Sequence, residues 1–331
     1  MVKSFKAVVV REDSDQEVSY SVESVARESL SQGNVLVRVE YSSLNYKDML
    51  ATRTRGGVIP SYPMIPGIDL SGTVVESAVD SVEVGQKVII TGTDLGVSHT
   101  GGLAEYARVP HEWLVPLPDQ LSERQAMVYG TAGFTAAQAI MALEDHGMRV
   151  DKQPRILVTG ASGGVGTVAL AILRKAGYTN VTALIRKDYQ EDLVKKLGAQ
   201  HILWADQVGE KRALSSQNYD YILDTVGGEV AAALIPQLQA GGSMALCGNA
   251  AGIRLDTTVL PLILRGINLL GINSLFEDIA KRLEIWRRLG SEWNVADQLP
   301  VNEVTLDEVH QAIESLQEGS HTGRTVVRIN L

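Results

Sequence analysis

The sequence predicts an α/β protein, a doubly wound parallel sheet joined to a β-rich, largely antiparallel domain, and three observations carry that prediction. In Arg155 to Gly166, RILVTGASGGVG, an apolar run stops at a glycine-rich turn, after which Val165, Val168, Ala169, Ile172 and Leu173 recur at helical spacing. Strand and helix patterns then alternate through Val181 to Ile185, His201 to Trp204, Tyr219 to Leu223, Met244 to Cys247 and Asn268 to Ile272. Before all this lie short Val-rich or alternating runs separated by polar turns, the pattern of a compact antiparallel β domain.

Taken in order, those early runs are Phe5 to Val10, Val18 to Val25, Val35 to Tyr41, Leu70 to Glu76, Lys87 to Thr91 and Ala104 to Val109. Two stretches between them read as non-strand and chemical: Ser42 to Leu50, SSLNYKDML, and Tyr62 to Gly67, YPMIPG. Pro60, Pro63 and Pro66 exclude a central strand there, because proline cannot donate to a ladder. Ser122 and Gln125 form a capping box that opens a helical pattern, interrupted by Gly130 and Gly133. Those glycines imply either close approach of a ligand or backbone, or two helices meeting at a break. Asp192 to Leu197 and Val230 to Leu238 read as helices of the alternating region. Past Ser274 the sheet pattern stops. Asp278 to Leu289 and Leu306 to Leu316 read as amphipathic helices, and Arg324 to Ile329 as a last strand that returns to the β domain. The expected division is therefore 1–124 plus 274–331 for the β-rich domain and 125–273 for the parallel sheet.

A chain of 331 residues with 45% hydrophobic and 21% charged residues can bury a large core and falls among ordinary globular proteins. Its net charge of −9 argues against nucleic acid or a membrane surface as a general partner, since both are polyanions. No apolar run has the length of a membrane span, and the first ten residues, with Lys3 and Lys6, lack a signal-peptide core, so a cytoplasmic location is expected. The single cysteine, Cys247, excludes an internal disulfide and a multi-cysteine zinc site.

The glycine turn between strand and helix is where a diphosphate fits. Amides of the first helical turn lack intrahelical acceptors, the helix dipole is positive there, and Gly163 and Gly164 remove side chains that would block approach. Gly166 would let the helix pack closely on the strand. The spacing, GxxGGxG, is less specific than GxGxxG. The next strand ends in Arg186 and Lys187, about 20 residues past the glycines, where a cation suits a 2′-phosphate and an acid would suit a free 2′-hydroxyl; this points to NADP(H), with Asp188 adjacent. Asp224 to Gly228 and Cys247 to Asn249 end later strands and are candidates for the nicotinamide half. Cys247 itself reads as a buried strand residue, with no histidine or aspartate motif to make it a nucleophile.

With that turn, SSLNYKDML, PMIPGIDLSGTV, GGLAEYARV (Gly101 to Val109), GTAGFTA (Gly130 to Ala136) and GRTVVRI (Gly323 to Ile329), the chain resembles the zinc-free medium-chain dehydrogenase/reductases nearly end to end. It is most similar to the branch of quinone oxidoreductases and NADPH-dependent acrylyl-CoA reductases. The resemblance implies a GroES-like catalytic domain, a Rossmann domain, an active-site cleft and a homodimer. It also implies that Tyr46 and Thr131 lie near the nicotinamide, that Ser162, Gly163, Gly164 and Val165 hold the diphosphate, and that Arg186 and its neighbours hold the 2′-phosphate. Asn249, Ile263 and Ser274 take cofactor-side positions. Asn45 and Asp48 keep an N-x-x-D pattern that either orients a substrate carbonyl or pins the loop.

The loop that supplies zinc ligands in the zinc-dependent relatives reads PMIPGIDLSG here, without a thiol, and the six histidines show no close ligand spacing, so no metal is expected. Reduction of a simple ketone is then harder to support than reduction of an activated C=C, whose own thioester or quinone carbonyl takes up the charge. The expected reaction is hydride transfer from NADPH to an α,β-unsaturated acyl-CoA such as acrylyl-CoA. The rivals are an NADPH:quinone or enone reductase and a non-catalytic NADPH-binding protein. Arg53 and Arg55, in TRTRGG, either meet the phosphates of a CoA ester or are simply solvated.

Overall fold

The computed structural model describes residues 3–275 and 277–330. In chain order the elements are β1 (Ser4–Glu12), β2 (Val18–Ala26), β3 (Val35–Leu44), α1 (Tyr46–Ala51), β4 (Asp69–Ser77), β5 (Lys87–Thr91), β6 (Tyr106–Val109), β7 (Val115–Pro116) and α2 (Glu123–Asp145). The alternating region follows as β8 (Ile156–Val158), α3 (Gly164–Lys175), β9 (Val181–Ile185), α4 (Glu191–Leu197), β10 (His201–Trp204), β11 (Tyr219–Asp224), α5 (Gly228–Leu234), β12 (Leu238–Leu246), α6 (Leu260–Arg265) and β13 (Asn268–Gly271). The chain closes with α7 (Ile279–Gly290), β14 (Val301–Thr305), α8 (Val309–Gln317) and β15 (Arg324–Arg328).

Contacts divide the chain into two units, Met1–Thr131 with Leu275–Gly290 and Pro300–Leu331, and Ala132–Ser274 with Ser291–Leu299. The division falls inside α2, later than the boundary expected at its start, and 291–299 goes with the second unit.

The first unit holds the β1–β2 hairpin and a seven-stranded sheet of order β14-β15-β3-β4-β5-β7, with β6 also paired to β3. Its core forms where Val37, Val39, Leu70, Val88 and Ile90 alternate inward on neighbouring strands. Antiparallel register sets Leu44 opposite Thr325 and Ser42 opposite Leu70, so the end of β3 meets the starts of β4 and β15. The sheet is mixed, because β14 runs parallel to β15. Two strands escape the sequence patterns: β7 is only two residues long, and β14 (VNEVT) carries polar residues on an edge. Ser42 to Leu44, expected as non-strand, instead continue β3, since their backbone pairs with both neighbours.

The second unit is a six-stranded parallel sheet of order β10-β9-β8-β11-β12-β13. Strand order reverses between β8 and β11, the place where open α/β sheets bind ligands beyond their carboxyl ends. The run expected as helix to Leu238 ends at Leu234; a 3-10 turn, Ile235–Gln237, leads into β12, whose start is disguised by Gly241 and Gly242. Helix α6, too short to show a period, was not legible either.

Among the described residues, α2 alone is long and apolar enough to cross a membrane by length and composition, yet 83% of its apolar window is buried inside the protein, the state of a core helix. It is broken at Gly130, whose φ of 50° and ψ of −155° leave the helical region. The break expected as one reading of the glycines is present at Gly130, while Gly133 keeps helical backbone.

Candidate functional site

In the second unit the glycine turn forms as expected between β8 and α3, with Gly163 as N-cap in an extended conformation. A Cβ on Gly166 would lie 2.4 Å from the Gly160 carbonyl oxygen and 2.6 Å from Ala161 Cα, so helix and turn touch backbone to backbone. Gly160 has a φ of +56°, and a Cβ there would lie 2.3 Å from Thr225 Oγ1. At Gly163 a Cβ would meet only the Gly160 oxygen, at 3.3 Å, which leaves its outer side open. The amides of Gly164, Val165 and Gly166, in the first turn of α3, have no intrahelical acceptors, and Ser162 precedes them, nearly buried. These features fit a diphosphate.

The loops that end β8, β11 and β12 are bonded into one platform. Thr159 Oγ1 donates to Asp224 Oδ1 (2.7 Å), and the Gly227 amide donates to Asp224 Oδ2 (2.7 Å). Thr225 donates its amide to Thr159 Oγ1 and its hydroxyl to the Thr159 carbonyl, both at 2.9 Å. The Cys247 amide donates to the Asp224 carbonyl at 2.9 Å, and a Cβ on Gly248 would lie 1.9 Å from the Thr225 oxygen. Burial raises the Asp224 pKa, and the carboxylate is a brace for the loops rather than a ligand contact. Cys247, expected as a buried strand residue, instead lies just past β12 and is only partly buried as a residue; its thiol is pushed up to about 12 by burial, with the charge of Asp224 adding to the effect, which leaves little thiolate near neutral pH. Both loops are legible in the sequence, whereas Thr159 as their link is not; its one signal is a hydroxyl that ends an apolar strand.

Arg186 and Lys187 are exposed at the carboxyl end of β9. Their amides donate to Gln190 Oε1 at 3.0 and 3.1 Å, which fixes the turn that carries them, and Lys187 Nζ lies 5.8 Å from the Tyr189 ring centre. Replacing both with alanine is expected to weaken NADPH binding about tenfold or more, roughly 1.4 kcal/mol, and NADH binding little. Titration by nucleotide fluorescence checks this; an unchanged ratio would put the 2′-phosphate elsewhere. Asn249 is exposed just past β12, and its carbonyl accepts from the Gly252 amide at 2.9 Å. Ile263 stands 68% exposed on α6, and Ser274 is partly buried after β13.

The first unit brings Tyr46, Asn45, Asp48 and Thr131 together around a buried charge network. Asp69, at the start of β4, accepts at Oδ2 from Ser43 Oγ (2.6 Å), Asn45 Nδ2 (2.7 Å) and the Thr131 amide (2.8 Å), and at Oδ1 from Thr131 Oγ1 (2.5 Å). Arg324, 2% exposed, donates from Nε to the Val128 carbonyl (2.9 Å) and from Nη2 to Ser43 Oγ (3.0 Å); its Nη1 donates to the Leu44 carbonyl (3.3 Å) and to Asn45 Oδ1 (3.4 Å). Acid and base are thus joined through a serine hydroxyl and an asparagine amide. The break in α2 makes room for them: a Cβ on Gly130 would lie 2.4 Å from Asp69 Oδ2 and 2.8 Å from Arg324 Nη2.

Asn45 is the N-cap of α1, and Asp48 closes the capping box by accepting from the Asn45 amide at Oδ2 (2.8 Å). Its other oxygen accepts from the Ile68 amide (3.0 Å). Asp48 is 1% exposed with both oxygens engaged, so of the two readings of the N-x-x-D pattern the geometry supports pinning the loop. What the loop presents is Tyr46, 46% exposed in the first turn of α1.

Burial, helped by the negative charge of Asp69, pushes the Asp48 carboxyl up to about 7 from 3.8, against the pull of the Asn45 and Ile68 amides. A raised carboxyl pKa means the folded state holds the proton longer than the unfolded one. This group's contribution to stability is therefore greatest at low pH and is lost as pH rises from about 4 to about 7. Asp48→Asn is expected to flatten that fall, and urea-unfolding free energies of both proteins across this range check it. Among the described residues no group of three His, Cys, Asp or Glu side chains converges as a metal site.

A two-part protein with a dinucleotide cradle at the switch point of one unit and a pinned tyrosine loop in the other has the layout of a nicotinamide-dependent oxidoreductase. Comparison with known proteins specifies the family. Residues 31–119 match the alcohol dehydrogenase GroES-like domain, and residues 164–287 the zinc-binding dehydrogenase domain. Acrylyl-CoA reductase AcuI of Ruegeria pomeroyi is 42% identical, the match covering 98% of this chain and 99% of that protein. YhfP of Bacillus subtilis, named as a quinone oxidoreductase, is 41% identical over 98% of this chain and 99% of its own. The structure of YhdH from Escherichia coli K-12 with bound NADPH superposes with a TM-score of 0.94 at 42% identity, covering 98% of this chain and 100% of that one. The chain belongs to the medium-chain dehydrogenase/reductase family, in the branch that includes AcuI and YhfP.

Proposed function

We propose that this protein is an NADPH-dependent reductase of the activated C=C bond of an α,β-unsaturated acyl-CoA, with acrylyl-CoA the representative substrate. The observation that carries the cofactor choice is the open anion cradle at Gly163 to Val165 followed by exposed Arg186 and Lys187 at the end of the next strand. The identity to AcuI supports the substrate class. NADPH, when bound, supplies a hydride for the β-carbon, the thioester carbonyl takes up the developing charge, and water can supply the α-proton.

The chain's own contribution is positioning. Ser162, the open side of Gly163 and the amides of Gly164 and Val165 hold the diphosphate, Arg186 and Lys187 the 2′-phosphate, and the interlocked loops bearing Thr225 and Gly248 fix the floor beyond the strands. Asn249, Ile263 and Ser274 are assigned to the cofactor side. In the first unit Asp69 fixes the Thr131 hydroxyl, and Asn45 and Asp48 fix the start of α1, so Tyr46 and Thr131 are offered to the reactants in set orientations.

The name of YhfP favours a second reading, an NADPH:quinone oxidoreductase. Loss of NADPH absorbance with acrylyl-CoA and with a benzoquinone separates the two: turnover of the quinone alone would select the second. Absence of turnover with either, in a protein that binds NADPH, would indicate a non-catalytic role. We assign the protein to the cytoplasm and to a homodimer. Strand β13 is a sheet edge, and Val259, Ile263 and Leu264, in α6 and its N-cap, are exposed. Light scattering on the purified protein tests the dimer.

A further inference from the structure

The loop that leaves α1, together with that helix, carries three cations close in sequence. Lys47 lies on the helix, and Arg53 and Arg55 follow it, both exposed; among the described residues none of the three makes an ion pair or a side-chain hydrogen bond. Elsewhere in the same unit Arg11, Arg27 and Arg38 are paired with Glu23, Glu76 and Glu40. In a chain with 39 acidic residues against 30 Lys and Arg, partners were available.

The loop is firmly built. Ala51 before it and Ile59 after it are buried in a cluster with Val10 and Met64. Thr54 Oγ1 donates to Glu17 Oε2 (2.8 Å) and accepts from the Val18 amide (3.0 Å), so Glu17 engages the threonine and neither arginine. The Gly56 amide donates to the Arg53 carbonyl at 2.9 Å, and a Cβ on Gly56 would lie 1.8 Å from the Leu50 oxygen, which forces the chain to fold back on α1. Arg55 sits at a φ of 60°, in the left-handed region. A side chain there costs roughly 1–2 kcal/mol relative to glycine. Stability alone gives no reason for arginine at this position.

We propose that Arg53 and Arg55, with Lys47, bind the phosphates of the coenzyme A portion of the substrate. The inference rests on the acyl-CoA reading above and deepens it, because a quinone would leave all three cations idle. Guanidinium groups match phosphate oxygens two at a time, and an ordered loop presents them with little further loss of freedom. Tyr46 begins the helix that this loop ends, and six residues at about 1.5 Å each span roughly 9 Å. A pantetheine arm is long enough to set thioester and phosphates at opposite ends of such a helix.

The test compares acrylyl-CoA with acrylyl-pantetheine, which keeps the thioester and lacks the nucleotide phosphates, in wild type and in Arg53→Ala/Arg55→Gly. Glycine relieves the left-handed backbone, so the melting temperature is expected to hold. The expected result is a fall of tenfold or more in the kcat/KM ratio of acrylyl-CoA to acrylyl-pantetheine, through KM, with the KM for NADPH unmoved. An unchanged ratio overturns the phosphate site and leaves the reductase reading standing. If neither thioester turns over, that reading falls. Calorimetric titration with coenzyme A then decides the site by itself: weaker binding to the variant upholds it, equal binding overturns it.

Discussion

Replacing Arg324 with methionine is expected to lower the stability of the first unit by about 3–5 kcal/mol, one of the largest losses any single substitution in this chain should give. The guanidinium is 2% exposed and faces two buried carboxylates, Asp48 and Asp69, the second of which also feels the largely buried Arg282. Removing it takes away the nearest guanidinium of this network and leaves the carbonyls of Leu44 and Val128 and the Ser43 hydroxyl short of a donor. Urea unfolding measures the loss. Adding Asp69→Asn should recover part of it, because the buried negative charge that Arg324 balanced is then gone. A loss below about 1 kcal/mol would mean the network contributes little, the value typical of an exposed pair.

Gly166→Val is the second. Its Cβ would press on the Gly160 carbonyl and on Ala161 Cα, both backbone atoms, so α3 must move off the turn and its amides leave the diphosphate position. NADPH affinity is expected to fall at least a hundredfold, about 2.7 kcal/mol, with loss of thermal protection by the nucleotide. Gly163→Val is the companion: its Cβ meets only the Gly160 oxygen at 3.3 Å, so the fold should persist while the branched side chain occupies the approach to the amides. NADPH and NADH should both fail to bind this folded variant. Binding retained in both variants would remove the turn from the nucleotide site.

The second unit was the more legible in sequence because its signals are local. Strands Ile156–Val158, Val181–Ile185 and His201–Trp204 stand where the apolar runs placed them; the first two are buried, while the third, on the sheet edge, is only partly so. The Ser122 capping box is present: the Gln125 amide donates to Ser122 Oγ, and the Ser122 amide to Gln125 Oε1. What escaped depends on long-range pairing. Nothing in VNEVT says that it will lie parallel to β15, and nothing within a few residues of Asp69 says that its partners are Ser43, Asn45 and Thr131. The available hints were an acid at the head of the apolar run DLSGTVV and an arginine before TVV, polar residues that must find partners once buried. Gly130 was legible as an anomaly, and its cause, the close approach of Asp69 and Arg324, was not.

The reductase reading predicts a specific fate for the transferred hydride. With NADPH deuterated at the transferring position of nicotinamide C4, wild-type protein should convert acrylyl-CoA to propionyl-CoA carrying one deuterium at the β-carbon, as read by mass spectrometry and NMR. Deuterium at the α-carbon, or intact NADPH after prolonged incubation with acrylyl-CoA, would contradict it.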